Sequence, residues 1–390
     1  MLIKGILSVF KRELCEVVKS PLYLSVVAVL PIVMLLTFTA IFYNGKITEL
    51  PITVVDNDNS AMSRQLCSMI DATPGVDIAL SAESIGKAES QMLNSKALAI
   101  LYITRGFESS VYAGVPTKIE CYLPGTNISA SGVIERDIQQ AILTFSSGIA
   151  LNSVQSIGVD YNQAMVDIMP INILTNTLGN PYLNYGYYLA PIFMFMGVVI
   201  FVMVATIFSF GRELRYATAR KWLSTADGSL LAAVVGKILP TTIAMAVVSQ
   251  LALFILFIVM GMECAGSYLE LTLGNIMFIL AYQSVAIAIV ALTANLRLSL
   301  SLGGGYAVMA FTFSGVTFPV IAMYEAAQWF SRLFPLTYFS DIFVDKAMLG
   351  VTMSYDIKEY LSLALFTLLL PLVWRRLSRV VSNEEYWCRD

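Results

Sequence analysis

Residues 186–210 read GYYLAPIFMFMGVVIFVMVATIFSF, and residues 211–215 continue GRELR. The long run carries no charge; the five residues after it carry three. A bilayer core takes about 20 apolar residues of helix, so this stretch is long enough to cross one and stop at a polar boundary. Five further apolar stretches flank it: Leu22–Tyr43, Ala232–Gly261, Leu271–Ala294, Leu300–Met323 and Tyr360–Trp374, the last short and broken by Pro371. The whole chain is 57% hydrophobic and 13% charged, with a mean hydropathy of +0.73. A soluble domain carries about 25% charged residues. The expected fold is a polytopic α-helical membrane protein with six transmembrane helices and an inserted α/β extracytoplasmic domain.

Basic residues set the expected orientation. With the N-terminus in the cytoplasm, Lys4, Lys11, Arg12, Lys19, Arg212, Arg215, Arg220, Lys221, Lys237, Arg297, Arg375, Arg376, Arg379 and Arg389 lie inside or at the inner boundary. The short outer segments hold only Arg332, Lys346 and Lys358. This is the positive-inside bias, and six spans return the C-terminus to the cytoplasm. The first span is too long for a signal-peptide core, and no small-residue cleavage site follows Tyr43, so it reads as a retained anchor.

Residues 1–20 read as an interfacial amphipathic helix, with Ile3, Ile6, Leu7, Phe10, Leu14, Val17 and Val18 at helical spacing. Lys4, Lys11, Arg12 and Lys19 are its expected contacts to anionic headgroups. Pro21 turns the chain into the first span, residues 21–43. Residues 44–185 form a separate domain of about 140 residues, enough for its own core. Strands are expected at Pro51–Val55, Val76–Leu80, Ala97–Ile103 and Lys118–Leu123, alternating with helices ending at Ile70, over Ser84–Asn94 and over Gly106–Ala113. A longer helix follows, with Ile134, Ile138, Ala141, Ile142, Phe145 and Ile149 on one stripe. Asp56 and Asp58 lack the remaining ligands of a calcium loop and read as a turn and helix cap. Asn180, Pro181 and the tyrosines Tyr182, Tyr185, Tyr187 and Tyr188 mark return to the outer interface.

Residues 186–390 form a five-helix block. Its inner loop 211–231 is polar and basic. The outer segment 317–349, broken by Pro319 and Pro335, reads as a re-entrant hairpin rather than another span. Gly303-Gly304-Gly305 permits close helix approach, within one chain or at a dimer seam.

Several classes of chemistry are excluded. Without histidine there is no His-based triad, His proton shuttle or His-type zinc site. Gly236-Lys237-Ile238 lacks the glycine-rich loop and the Ser/Thr of a phosphate site, so the chain is not read as an enzyme. The spans carry no acid or lysine clearly at mid-membrane, which disfavours an ion-coupled carrier. Gln250 and Gln283 are the large polar residues there, read as interhelical hydrogen bonds or as pathway contacts. Cys67 and Cys121 are a candidate disulfide in an oxidising compartment; without framework spacing, two free thiols are the plainer reading.

The order of these parts resembles the permease subunit of a type-2 ABC transporter, in the subgroup with a large extracytoplasmic domain after the first span. The resemblance is carried by Phe10-Lys11-Arg12-Glu13-Leu14 with Lys19-Ser20-Pro21, and by Val54-Val55-Asp56-Asn57-Asp58-Asn59-Ser60 with Ser63-Arg64-Gln65-Leu66. Also similar are Gly211-Arg212-Glu213 through Gly236-Lys237-Ile238-Leu239-Pro240, and Ser314-Gly315-Val316-Thr317-Phe318-Pro319 with Phe334-Pro335-Leu336-Thr337-Tyr338. It covers essentially the whole chain. The inner loop departs from the family pattern, lacking a Gly within Arg212–Thr218 and a Pro near Ala226-Asp227-Gly228.

The resemblance implies an ATP-driven exporter in a bacterial inner membrane. Two copies, or one copy and a paralogous permease, would form the pathway. Separate cytoplasmic ATPase subunits would hold ATP and Mg, with no cofactor on this chain and no nucleic-acid partner. Arg212, Glu213, Arg215, Arg220 and Lys221 would dock the ATPase, and a periplasmic adaptor is a further expected partner. The alternative is a membrane receptor or scaffold whose external domain binds a ligand without transport.

Overall fold

The computed structural model describes residues 2–45, 47–156, 179–180 and 184–388. Pro181, Tyr182 and Arg389 lie outside them. The chain divides into two compact units, Lys46–Thr175 and the remainder, Met1–Gly45 with Asn176–Asp390.

The smaller unit is a four-stranded sheet with helices on both faces. Its strands are β1 Leu50–Asp56, β2 Val76–Ser81, β3 Ala99–Ile103 and β4 Ile119–Tyr122, in the order β2-β1-β3-β4. β1 runs parallel to both neighbours, and β4 is antiparallel to β3. Alternation along β1 sends Ile52 and Val54 into a core with Leu66, Ile70, Ile134 and Ile138. Val55 packs on the other face with Ala88 and Ile100. The first core is covered by α3 Ala61–Asp71 and α6 Ile128–Ser156, the second by α4 Ile85–Leu93. Ser60 caps α3 through the Ser63 amide. The Asp56 carboxylate accepts from the Asp58 and Asn59 amides and the Ser63 hydroxyl. Asp58 accepts the amides of Gly106, Phe107 and Glu108 at the start of α5 Phe107–Tyr112, so both acids are turn and cap residues. Cys67 and Cys121 are free thiols, which removes the candidate disulfide.

In the larger unit, α1 Leu2–Lys19 precedes the helical rod α2 Pro21–Phe42. Pro31 cannot donate to Val27, and just before it the Leu30 amide reaches back five residues to Ser25, opening one π turn. Then come α7 Tyr185–Arg215, α8 Ala219–Thr225, α9 Leu230–Val259, α10 Tyr268–Thr293 and α11 Leu296–Phe313. The short α12 Glu325–Ser331 and α13 Pro335–Phe343 lead through a π turn, Val344–Leu349, to α14 Ile357–Thr367 and α15 Leu369–Ser382. Pro371 has no amide proton for the Thr367 carbonyl, and the helix breaks there at Leu368.

Among the described residues, five helical segments are long and apolar enough to cross a membrane: Pro21–Phe42, Tyr185–Arg215, Leu230–Val259, Tyr268–Thr293 and Ile357–Ser382. The expected span at Leu300–Met323 is instead the 18-residue α11, roughly 27 Å long, followed by bends. Gly303 of α11 packs against Ile207, whereas a side chain at Gly304 or Gly305 would meet open space.

Candidate functional site

The amphipathic period of α1 is present, its apolar stripe is exposed, and the helix packs on the protein through a second face. Gly5, Val9, Glu13 and Val17 are its buried positions, while Ile3, Leu7, Leu14 and Val18 are exposed. Two glycines allow the approach to α9. A Cβ on Gly236 would stand 2.6 Å from the Ile6 carbonyl oxygen, and one on Gly5 would stand 3.2 Å from that of Ala226. This brings Glu13 onto the first turns of α9.

There Lys237 is fully buried between two carboxylates. Its Nζ donates to Glu13 Oε2 at 2.6 Å and to Glu213 Oε1 at 2.9 Å. Glu13 Oε1 accepts from the Tyr23 hydroxyl at 2.8 Å and the Ser209 hydroxyl at 2.7 Å. Arg12 Nη2 lies 2.8 Å from Glu213 Oε1 and 2.9 Å from Oε2, which also accepts from Thr218. Lys237 Nζ sits 5.1 Å from the centre of the buried Trp222 ring, a cation–π contact. Every carboxylate oxygen of the pair is thus satisfied, and two acids balance two bases. That is the condition under which charges are tolerated in a low-dielectric interior.

The network ties four helices and a loop together: Arg12 and Glu13 from α1, Tyr23 from α2, Ser209 and Glu213 from α7, Lys237 from α9, and Thr218 before α8. Arg212 continues it, pairing with Glu16 at 3.3 Å beneath the Tyr23 ring. The loop beyond is built on this base. The Thr218 amide returns to the Glu213 carbonyl at 2.9 Å, and Trp222 Nε1 donates to the Ala233 carbonyl at 3.2 Å. Ala217 and Asp227 hold left-handed φ of 55° and 53°, each costing of order 1 kcal/mol. The C-terminal segment braces the same loop through Arg220–Glu384 at 2.9 Å and the Cys388 amide on the Leu214 carbonyl at 3.0 Å.

The expected docking set therefore divides. Arg220 and Lys221 are exposed, together with Tyr216 and Asp227, and Arg215 is half-buried. Glu213 is fully buried, and its carboxylate is committed to Lys237 and Arg12, so it cannot contact a second protein. Arg12 likewise turns inward, away from the headgroup role expected of it, whereas Lys4, Lys11 and Lys19 remain exposed. Gln250 and Gln283 both bridge α9 and α10. Gln250 accepts from Tyr268 at 2.6 Å, and Gln283 accepts from Thr242 at 2.8 Å.

Residues 22–374 match the family described as ABC-2 family transporter protein. The chain belongs to the ABC-2 transporter family. As an ABC-2 protein it is a multi-pass membrane permease subunit of an ABC transporter, associated with an ATPase subunit and the bilayer. No curated protein and no solved structure matches this ABC-2 chain. The residues that sequence reasoning missed in it are Glu13, Tyr23 and Ser209, together with the pairing of Lys237. A usable signal existed: a lysine inside an apolar run needs a buried acid, and Glu13 and Glu213 both border such runs.

Proposed function

We propose that this permease subunit belongs to an ATP-driven exporter of a bacterial inner membrane, with both termini cytoplasmic and Lys46–Thr175 outside. It counts α11 as a sixth span, with Arg297 at its inner end, and works as a dimer with a second copy or a paralogous permease. The open faces of Gly304 and Gly305 support a seam along α11. The ATPase would dock on the exposed loop surface of Tyr216, Arg220, Lys221 and Asp227. The single observation carrying this reading is the mounting of that loop on the Lys237 network. A loop wired by buried ion pairs to four helices moves them when it is pushed. The exposed apolar stripe of α1 suits the inner interface, and a periplasmic adaptor would meet the outer unit.

Purified alone, the chain is expected to hydrolyse no ATP and to co-purify with a Walker-motif ATPase when both are expressed. Intrinsic ATP hydrolysis by this polypeptide, or an ATPase-free complex at native expression, would refute the proposal.

A further inference from the structure

At the other end of α7, roughly 38 Å from Glu213 along the helix axis, lies a cavity of about 180 Å³. Its walls are Tyr188, Pro191 and Phe195 of α7, Val316 after α11, and Phe339 and Phe343 of α13. The rings are fixed. Phe195 meets Phe339 edge-on at 4.7 Å and Phe343 at 5.6 Å, and Phe339 is stacked on Phe278 at 4.3 Å. The Tyr188 hydroxyl is spent on the Val316 carbonyl at 2.8 Å. A dry cavity of about 150 Å³ holds one benzene, so this one accommodates a ring with a short substituent.

One wall residue, Asp341, is charged. It stands at the exposed edge of the pocket, and among the described residues no cation pairs with its carboxylate. Its surroundings are acidic as well. Asp345 on the π turn and Glu359 on α14 both act on it electrostatically. Tyr338, one turn back on α13, faces the same group, with Arg332 beyond it. The nearby Lys346 is consumed elsewhere: its Nζ donates to the Val351 carbonyl at 2.9 Å and forms ion pairs with Glu270 Oε2 at 2.6 Å and Asp356 Oδ2 at 3.1 Å. Asp356 is fully buried, and its Oδ1 has no hydrogen-bond partner. Aromatic faces and uncompensated carboxylates favour the same kind of guest, because ring quadrupoles and acids both attract positive charge.

We propose that this pocket is a binding site for a small apolar molecule bearing one positive charge, its ring or chain seated against Phe195, Phe339 and Phe343 and its cation countered by Asp341. The inference rests on the permease reading only for its purpose, as an outer subsite of the transport path; the binding itself does not require it. Burial against the wall, then the carboxylates of Glu359 and Asp345, push the Asp341 carboxyl up to about 7. A cation binds the ionised form, so it must displace a proton below that pH. Affinity therefore falls as pH drops through about 7, by up to about tenfold per unit.

The test uses the full-length protein in lipid nanodiscs and two isosteric probes, benzyltrimethylammonium and the uncharged neopentylbenzene. Wild type should bind the cation roughly tenfold or more tightly than its neutral twin at pH 8, and lose that preference by pH 5.5. Asp341→Asn should abolish the preference and its pH dependence while neopentylbenzene still binds, which shows the pocket intact. Asp345→Asn, next to the cluster but outside the cavity wall, should reduce the preference only in part. Equal binding of the two probes by wild type, or a preference unchanged in Asp341→Asn, overturns the proposal. Cation binding by a chain that co-purifies with no Walker-motif ATPase when the two are co-expressed would sink the permease reading and leave the site standing; ATPase assembly by a chain that shows no cation preference would do the reverse.

Discussion

Lys237 and Lys346 are both without exposed side-chain surface, yet they sit in opposite electrostatic company. Lys237 shares two acids with one arginine, and each carboxylate oxygen has its donor. Lys346 holds Glu270 and Asp356, and among the described residues no cation forms an ion pair with Asp341, Asp345 or Glu359. The first arrangement is closed and rigid, suited to carrying force between a loop and helices. The second has negative charge to spare beside an open aromatic cavity, suited to receiving something. Neutrality separates a structural charge cluster from one that can bind.

That contrast can be broken at several points. Lys237→Met should be the most damaging change, costing about 3–5 kcal/mol because two buried acids are left with Arg12 alone. A shift in thermal melting of the detergent-solubilised protein measures it. Adding Glu13→Gln should restore part of the loss, since the Arg12–Glu213 pair is then balanced again; a double-mutant cycle showing strict additivity would contradict the network. Lys346→Met should cost less than Lys237→Met, about 3 kcal/mol, because only Asp356 is left as a buried acid without its cation, while Glu270 is partly exposed and can rehydrate. If it proved the more damaging lysine substitution, the contrast between closed and open clusters would be wrong. Gly236→Ala should cost about 1–3 kcal/mol by pressing a methyl into the Ile6 carbonyl, and should loosen α1 toward proteolysis.

Much of this was legible before the structure. In the smaller unit, β1 to β4 and their helices fall within a few residues of their expected places, because period-two alternation and the Ser60 cap are local signals. The strand order was not legible, since a parallel sheet is assembled from contacts distant in sequence. The turn role of Asp56 and Asp58 could be read from spacing. In the membrane unit, the Pro371 break and the inner loop were readable, but α11 is shorter than its expected span because the helix stops at Phe313. The apolar stripe of α1 was readable, but the face that packs on protein was not. Apolar periodicity locates a stripe but not its solvent, and here the apolar stripe is the exposed one, while a Gly-Val-Glu-Val stripe meets protein. Glu213 was placed on the surface because its neighbours Arg212 and Arg215 border it. Its partner Lys237 lies 24 positions away and Arg12 lies 201, beyond any helical spacing.

The smallest structural effect should accompany the largest functional one. Arg220→Ala with Lys221→Ala removes exposed charge, so stability should change by no more than about 0.5 kcal/mol. The decisive measurement is the ATPase-to-permease ratio in complexes purified with this double variant, alongside its melting temperature. Loss of the ATPase with melting unchanged is the predicted result. A full complement of ATPase on a folded chain lacking both charges would contradict the account.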